Sequence, residues 1–184
     1  GGVPGKGFQT QQHRPPMLSL DNAFSYEQLD DFDRRVRQIT GRDSVQYIAE
    51  HKFDGLSISL IYENGRLVRA VTRGDGTSGE DVTANVRTIH SIPLSVDLSE
   101  CKRLGLPADF EVRGEIIMSR KAFEELNLQQ ERQGGKRFAN PRSSAAGAVR
   151  VLDPNITASR RLDFFGYYLM AGGAFAFPRH SEAL

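Results

Sequence analysis

The segment Glu-His-Lys-Phe-Asp-Gly at residues 50–55 is the part of the chain around which the predicted fold is organised. The residues that lead into it, 45–52, are predicted to form a strand, which would put the side chains of Glu50 and Lys52 on one face. Phe53 is expected to anchor the following turn in a core, and the final glycine permits backbone angles that other residues avoid. The segment therefore predicts one lysine held at the end of a strand, beside carboxylates.

This lysine is a candidate nucleophile. A free lysine has a pKa near 10.4, so only roughly one in a thousand is neutral at neutral pH, and cationic neighbours or a metal ion on a phosphate would have to lower that pKa. We interpret Lys52 as an amine that takes a nucleotide, with Asp54 as a second catalytic group. Lys-x-Asp-Gly alone is a weak motif, and an exposed turn lysine paired with Asp54 is the alternative.

The composition is that of an ordinary globular protein. The 184 residues are 39% hydrophobic and 26% charged, which is enough to bury a core. A net charge of +1 predicts no global attraction to nucleic acid, so any basic patch must be local. Cys101 is the single cysteine, which excludes an internal disulfide and a cysteine-rich zinc site and fits a cytoplasmic location. The longest apolar run is too short to span a bilayer.

The first 44 residues divide into two parts. Residues 1–16 are rich in Gly, Gln and Pro and are predicted to be a linker or tail. Residues 17–44 contain the segment Met-Leu-Ser-Leu-Asp-Asn and then a helix, which Ser25 caps, Gln28 supports through a capping box, and Gly41 ends. The predicted apolar stripe of this helix consists of Tyr26, Leu29, Phe32, Val36 and Ile39.

The core is predicted over residues 45–184 and contains a hairpin and a glycine-rich loop. Two apolar strands, 56–62 and 67–73, flank the Asn-Gly pair at residues 64–65, which is a strong hairpin signal. Residues 74–81, hereafter the glycine loop, have three glycines within their first six residues. They predict either a close backbone approach to a phosphate or a flexible connection that caps the next helix, near residues 82–88.

A further strand is predicted at residues 110–118. Its alternation puts Glu111, Arg113 and Glu115 on one face, where a ladder of charges facing solvent is the usual explanation. Gly114 weakens the strand interior and is typical of a place where a ligand comes close. Ser119 is then predicted to cap a helix.

The last predicted elements are a basic helix and an aromatic strand. Pro141 suits the first position of a helix on which Arg142 and Arg150 would be separated by roughly 12 Å along the axis. That spacing suits phosphates or an extended anionic ligand, although arginines are often plain surface residues. The strand over residues 162–170 contains Tyr167, which would stack on a base or pack in the core.

Taken together, these segments resemble the adenylation domain of NAD⁺-dependent DNA ligases, in register from about His13 to Met170. The resemblance is carried by residues 17–22, 52–55, 72–81, 111–115 and 138–142, followed by residues 145–147 and Arg150. It implies an α+β nucleotidyltransferase (ATP-grasp-like) domain with antiparallel sheets around a nucleotide cleft. The family pattern continues past Leu184, so the expected domain is C-terminally incomplete and the core truncated.

The resemblance also implies roles for individual residues. Lys52 would become covalently bonded to AMP, with Asp54 as the other catalytic residue. The cofactor-binding residues would be Ser19, Leu20, Glu50, Arg73, Glu115 and Tyr167, the last stacking on adenine. Arg142 and Arg150 would contact phosphate and DNA, and no residue is predicted to be a metal ligand. Two residues depart from the family pattern, His51 beside the nucleophile and Ser143 after Arg142.

The implied reaction is the sealing of a nick in duplex DNA, as part of replication and repair. The lysine attacks the AMP phosphorus of NAD⁺, AMP passes to the 5′-phosphate of the nick, and the 3′-hydroxyl displaces it, with Mg²⁺ offsetting phosphate charge. The expected partners are nicked duplex DNA and further ligase domains: an upstream NMN-binding domain and downstream OB, zinc and helix-hairpin-helix modules. Because these are missing from the sequence, we expect weak or no activity with NAD⁺ from the chain alone.

Two alternatives stay open. Lys-x-Asp-Gly is shared with ATP-dependent ligases and capping-type nucleotidyltransferases, although the glycine loop and residues 19–22 favour NAD⁺. The chain could instead be a non-catalytic nucleic-acid-binding remnant that uses Arg137, Arg142 and Arg150.

Overall fold

A computed structural model of the protein describes residues 7–184. The strands are β1 Thr10–Gln12, β2 Leu56–Glu63, β3 Arg66–Thr72, β4 Ser78–Glu80, β5 Phe110–Met118, β6 Leu162–Ala171 and β7 Ala174–Phe175. The helices are α1 Tyr26–Thr40, α2 Thr83–Val86, α3 Leu98–Arg103, α4 Arg120–Arg132, α5 Pro141–Val149 and α6 Pro154–Ala158, followed by a 3₁₀ turn at His180–Glu182.

Two antiparallel sheets organise these elements. The larger has the strand order β3-β2-β5-β6-β7, and the smaller pairs β1 with β4. The predicted mixture of helices with antiparallel sheets is therefore confirmed. The described residues form two compact units, of which one contains the residues up to Met17 together with Phe53–Leu184, and the other is Leu18–Lys52. These limits differ from the predicted boundary between residues 44 and 45.

The hairpin of β2 and β3 has the predicted turn. Asn64 and Gly65 both have positive φ angles, of 49° and 69°, as a two-residue hairpin turn requires. Neighbouring backbone covers this turn, because the Gly65 amide donates to the Ala108 carbonyl at 2.8 Å and the Val96 amide donates to the Gly65 carbonyl at 2.7 Å. The hairpin is thus fixed at its tip as well as along its strands.

The core lies between the larger sheet and the helices that connect its strands. Ile58 and Leu60 on β2 and Ile116 on β5 are almost completely buried, and so are Ala145 and Val149 on α5. Small residues allow α5 to approach β5 and β2 closely. Since Asn140 caps α5 and Pro141 occupies its first turn, the start of this helix is as predicted.

The other unit contains α1. Its amino-terminal cap is the predicted one, because Ser25 Oγ accepts a hydrogen bond from the Gln28 amide, and Gly41 ends the helix in the left-handed conformation. The Gln28 side chain accepts from the amide of Phe24 at 2.6 Å, not from that of Ser25, so the capping box is displaced by one residue. None of the side chains of α1 is buried.

The structure corrects two predictions about local structure. The strand predicted over residues 45–52 does not form: this part of the described chain has no regular secondary structure and belongs to neither sheet. The linker predicted over residues 1–16 contains β1, whose partner β4 is distant in sequence, and His13 is buried. Residues 1–6 of the predicted linker lie outside the described residues.

Within the described residues, no helix has both the length and the apolar character needed to cross a bilayer.

Candidate functional site

A cavity of about 250 Å³ opens between the sheet and α5. It is smaller than the roughly 300 Å³ at which sites for whole small molecules begin, so it fits part of a larger ligand. All of its walls belong to the unit that contains the larger sheet. The lining residues, hereafter the cleft, are Gly55, Leu56, Ser57, Thr72, Arg73, Gly74, Ser78, Gly79, Glu80, Arg142, Ala146 and Arg150.

Three of the predicted site residues line the cleft together: Arg73, Arg142 and Arg150. Arg73 follows β3, while the other two stand at opposite ends of α5. The two arginines, which are eight residues apart, line the same cavity, and Arg150 forms the carboxyl-terminal cap of the helix. Three guanidinium groups around one cavity are suited to binding an anion with several oxygens.

The two arginines of α5 have different partners. Arg142 Nη1 lies 3.2 Å from Asp54 Oδ1, in an ion pair whose two side chains are 61% and 70% exposed. Arg150 binds the Glu80 carboxylate with two hydrogen bonds, Nε to Oε2 at 2.5 Å and Nη2 to Oε1 at 2.8 Å. The Glu80 side chain is only 5% exposed. This bidentate hydrogen bond raises the pKa of Arg150.

Glu80 was not assigned a role from the sequence. It belongs to a segment that supports the family resemblance, but its partner Arg150 is distant in the chain, so no local pattern indicates the pair. The sequence gives one weak indication of the pair: Glu80 follows a glycine-rich segment, and Arg150 stands at the end of a predicted helix of small residues.

The glycine loop is a turn held by hydrogen bonds within it. Asp75 Oδ1 accepts hydrogen bonds from the amides of Thr77 at 2.9 Å and Ser78 at 2.8 Å. The amide of Ser78, with the hydroxyl and amide of Thr77, lowers the pKa of Asp75 to about 2. A Cβ atom on Gly79 would lie 1.6 Å from the Thr72 carbonyl oxygen, so only glycine fits there. The loop therefore brings its backbone to the edge of the cleft.

Glu115 holds the turn that follows the candidate nucleophile. Its carboxylate accepts hydrogen bonds from the Gly55 amide at 3.0 Å and the Ser57 hydroxyl at 2.8 Å. Tyr167, on the neighbouring strand β6, is partly buried, and burial and the charge of Glu115 raise its pKa. It does not line the cleft itself. The Phe53 ring stacks on Phe165 with centroids 4.1 Å apart, as expected of an anchor for the turn.

The charges of β5 are not the predicted solvent-facing ladder. Arg113 is buried, and its Nε donates to Glu111 Oε1 at 2.6 Å. Its two terminal nitrogens donate to the carbonyl oxygens of Pro16 at 2.9 Å and Pro15 at 2.5 Å. The prediction failed because residues 15–16, interpreted as a linker, supply the acceptors for this guanidinium.

Four of the predicted site residues, Ser19, Leu20, Glu50 and Lys52, belong to the other unit. All four side chains are exposed. Since the strand over residues 45–52 does not form, Glu50 and Lys52 do not share a strand face. Their predicted contacts with a nucleotide stay predictions.

The described residues offer no protein-made metal cage, because no three or more His, Cys, Asp or Glu among them are arranged to hold an ion. Mg²⁺ needs less than this when it binds together with substrate phosphates, since one or two carboxylates then suffice. Asp54, an exposed carboxylate within reach of Arg142 at the cleft, fits that role.

A cleft lined by three arginines and by the glycine of a Lys-x-Asp-Gly segment is typical of enzymes that transfer nucleotides. Residues 5–184 match the family described as the NAD-dependent DNA ligase adenylation domain. The chain belongs to this family.

Curated relatives agree with the family assignment. The chain is 53% identical over 184 residues to a DNA ligase of Koribacter versatilis and to one of Solibacter usitatus, all of the chain being covered in both alignments. It is 54% identical over 179 residues, 97% of the chain, to a DNA ligase of Alkalilimnicola ehrlichii. The chain spans about a quarter of the length of these proteins, 26–27%.

Proposed function

We propose that this domain binds the adenylate half of NAD⁺ and takes AMP onto Lys52, as the first step of sealing a nick in duplex DNA. The observation that carries the proposal is that Gly55, the last residue of the Lys-x-Asp-Gly segment, lines the cleft together with the three arginines. Gly55 lines the cleft and is three residues from Lys52, so chain geometry limits the distance between their Cα atoms to about 11 Å. An extended lysine on that backbone could deliver its amine to a phosphate held by the arginines.

The residues divide into those that hold phosphate and those that hold the nucleoside. Arg73 and Arg142 bind the phosphate oxygens, and Arg150 contributes charge from a fixed position beside Glu80. The nucleoside is contacted by Ser19, Leu20, Glu50, Glu115 and Tyr167, the ring of Tyr167 stacking on adenine. This assignment is supported by the family and by the location of Glu115 and Tyr167 near the turn at Gly55.

The chemical step requires the neutral amine of Lys52. As its nitrogen bonds to the AMP phosphorus, the bond from phosphorus to the bridging oxygen breaks, and nicotinamide mononucleotide leaves with that electron pair. The ammonium form must first give a proton to water. Asp54, together with the substrate phosphates, would hold Mg²⁺, which would neutralise part of the phosphate charge. Since such transfer depends on positioning and charge, no acid–base pair is needed in the cleft.

The later steps extend beyond this domain. AMP passes to the 5′-phosphate of a nick, and the 3′-hydroxyl displaces it, so the substrate is nicked duplex DNA. The partners are the remaining ligase domains: the NMN-binding domain and the OB, zinc and helix-hairpin-helix modules. The fold is of the nucleotidyltransferase (ATP-grasp-like) type, and the protein acts in the cytoplasm in replication and repair. The named relatives and the small share of their length that this chain spans support these assignments.

A domain exchange tests the proposal. The 184 residues replace the matching segment of the Koribacter versatilis DNA ligase, which aligns along the whole chain. Intact and peptide mass spectrometry after incubation with NAD⁺ should detect an AMP adduct on Lys52, and the hybrid should seal nicks. With Lys52→Arg the adduct and the sealing should both disappear, because a guanidinium stays protonated. Lys121→Arg, an exposed change on α4, is the matched control and should retain both.

Parallel incubations with NAD⁺ and ATP separate the proposed enzyme from an ATP-dependent one. An adduct formed only with ATP, an adduct on a residue other than Lys52, or undiminished sealing by Lys52→Arg would each contradict the proposal.

A further inference from the structure

The amino-terminal residues 8–17, hereafter the strap, run alongside the glycine loop and pair with it along most of its length. β1 forms a ladder with β4, in which Thr10 faces Glu80 and Gln12 faces Ser78. Beyond the ladder on one side, the Asp81 amide donates to the Gln9 carbonyl at 2.8 Å. Beyond it on the other, the amides of His13 and Met17 donate to the carbonyls of Thr77 and Gly76, both at 2.8 Å. The strap thus supports residues 76–81 of the loop.

Two buried side chains fasten the strap to the larger sheet. Arg113, on the central strand β5, donates to the carbonyls of Pro15 and Pro16. His13 reaches in the opposite direction, with Nε2 at 2.9 Å from the Thr72 carbonyl at the end of β3. Only 7% of His13 is exposed, and this burial lowers its pKa, so a neutral ring donates from Nε2. Neither residue lines the cleft.

The opposite side of the glycine loop forms a wall of the cleft. Gly74, Ser78, Gly79 and Glu80 all line it. Gly79 is confined between the Thr72 carbonyl and the His13 ring, since a Cβ on it would lie 1.6 Å from the first and 3.1 Å from Nε2 of the second. The next residue, Glu80, holds Arg150. A displacement of the strap would therefore move the loop backbone and the arginine together.

We propose that His13 and Arg113 are positioning residues for phosphate binding: they hold the strap against the glycine loop, and the strap holds the loop and Arg150 in the geometry that receives the nucleotide phosphates. Arg113 on β5, to which the proposed function assigns no role, thereby gains one. The two residues act through backbone carbonyls and not by contact with the ligand. Their loss should accordingly weaken nucleotide binding more than it slows the chemical step.

The experiment compares two substitutions of His13 in the full 184-residue chain. His13→Leu has a similar volume but no donor, whereas His13→Gln retains a nitrogen that can reach the Thr72 carbonyl. Hydrogen exchange, followed by mass spectrometry without any nucleotide, should show amides of residues 76–81 exchanging about tenfold faster in His13→Leu, and close to wild type in His13→Gln, as expected for one lost buried hydrogen bond. Calorimetric titration with AMP should show an affinity about tenfold lower for His13→Leu alone.

Arg113→Lys is a second variant, which keeps the charge but cannot span both proline carbonyls. It should accelerate exchange in the same six residues and weaken AMP binding in the same direction. In the hybrid ligase described above, either change should raise KM for NAD⁺ about tenfold while kcat changes less than about threefold. Leu126→Ala, a core change on α4 away from the strap, controls for general destabilisation, and its KM should not rise.

Unchanged exchange at residues 76–81 in both His13→Leu and Arg113→Lys would overturn the proposal. So would exchange that accelerates equally in α4 and β6, which indicates global unfolding, or a loosened loop with unchanged AMP affinity. The nucleotide measurements rest on the proposed function, but the exchange measurement does not. A protein that forms no adduct on Lys52 but shows the local exchange effect would therefore refute the proposed function and leave the role of the strap in loop order standing.

Discussion

The two ends of α5 carry arginines with the same predicted role and different physical situations. Arg142, in the first turn, pairs with Asp54 in an exposed ion pair. Arg150, at the other end, is held by two hydrogen bonds to a carboxylate that is almost completely buried. An exposed pair of this kind contributes about 0–1 kcal/mol, whereas breaking a buried one costs several kcal/mol. Arg142 can therefore exchange its partner for a phosphate with little loss of free energy, whereas the contact of Arg150 with Glu80 stabilises the fold.

The largest difference between the two ends should appear in stability. Arg150→Ala leaves the Glu80 carboxylate buried without its bidentate partner, and we expect the free energy of unfolding to fall by about 3 kcal/mol. This value is at the lower end of the usual range because the Arg150 side chain is 37% exposed. Urea unfolding measures it. Arg137→Ala, which removes an exposed arginine–glutamate pair, is the control and should change stability by less than about 0.5 kcal/mol. Equal decreases in the free energy of unfolding in the two variants would show that the buried pair of Arg150 stabilises the protein no more than an exposed pair does.

The next effect concerns binding at the other end. Arg142→Ala should weaken AMP binding about tenfold, because a charge-assisted contact to phosphate is lost, while the free energy of unfolding changes by less than about 0.5 kcal/mol. Calorimetric titration at two salt concentrations measures the first, and the affinity of the wild type should fall more steeply with salt than that of the variant. If Arg142→Ala instead destabilised the fold as much as Arg150→Ala, the two ends would be equivalent.

A smaller effect is expected for the partner of Arg142. Asp54→Asn removes the exposed ion pair, and the free energy of unfolding should change by less than about 0.5 kcal/mol. Adenylation of Lys52 in the hybrid ligase should nevertheless decrease, since Asp54 is assigned to the catalytic site. Wild-type adenylation by this variant would show that the carboxylate serves only to occupy Arg142.

The smallest effect tests the loop that carries Glu80. The folded state holds the pKa of Asp75 at about 2, below the unfolded value near 3.9, so its contribution to stability is complete above the unfolded value. This contribution decreases as the pH falls from about 4 to about 2. The difference in unfolding free energy between the wild type and Asp75→Asn should therefore narrow over that interval. A difference that stays constant with pH would mean that ionised Asp75 does not stabilise the loop.

Local patterns in the sequence predicted much of the secondary structure. The Asn-Gly turn, the strand at residues 110–118, the caps of α1 and α4 and the start of α5 at Pro141 all depend on contacts within a few residues, and all are found. Arg73, Arg142 and Arg150 were each singled out as site residues, Arg73 for cofactor binding and the other two for phosphate and DNA, and the structure adds that they line one cleft.

The errors concern contacts between distant parts of the chain. β1 pairs with a loop that lies more than sixty residues away, and Arg113 donates to prolines almost a hundred residues earlier. Because neither contact is visible in the local sequence, the predictions of a linker at residues 1–16 and of a solvent-facing charge ladder on β5 were wrong. Residues 45–52 alternate like a strand, but they belong to neither sheet, because alternation alone does not supply a neighbouring strand to pair with. Glu80 was overlooked because a buried ion pair leaves no mark in the local sequence.

The covered hairpin tip also indicates where this domain can accept foreign sequence. Gly65 and Gly105 have the same φ of 69°. A Cβ on Gly65 would lie 2.4 Å from the Val96 carbonyl oxygen, whereas one on Gly105 would meet no atom within 4 Å. A fluorescent label, an affinity tag or a new chain terminus belongs at residue 105, and the tip at residue 65 should be left intact.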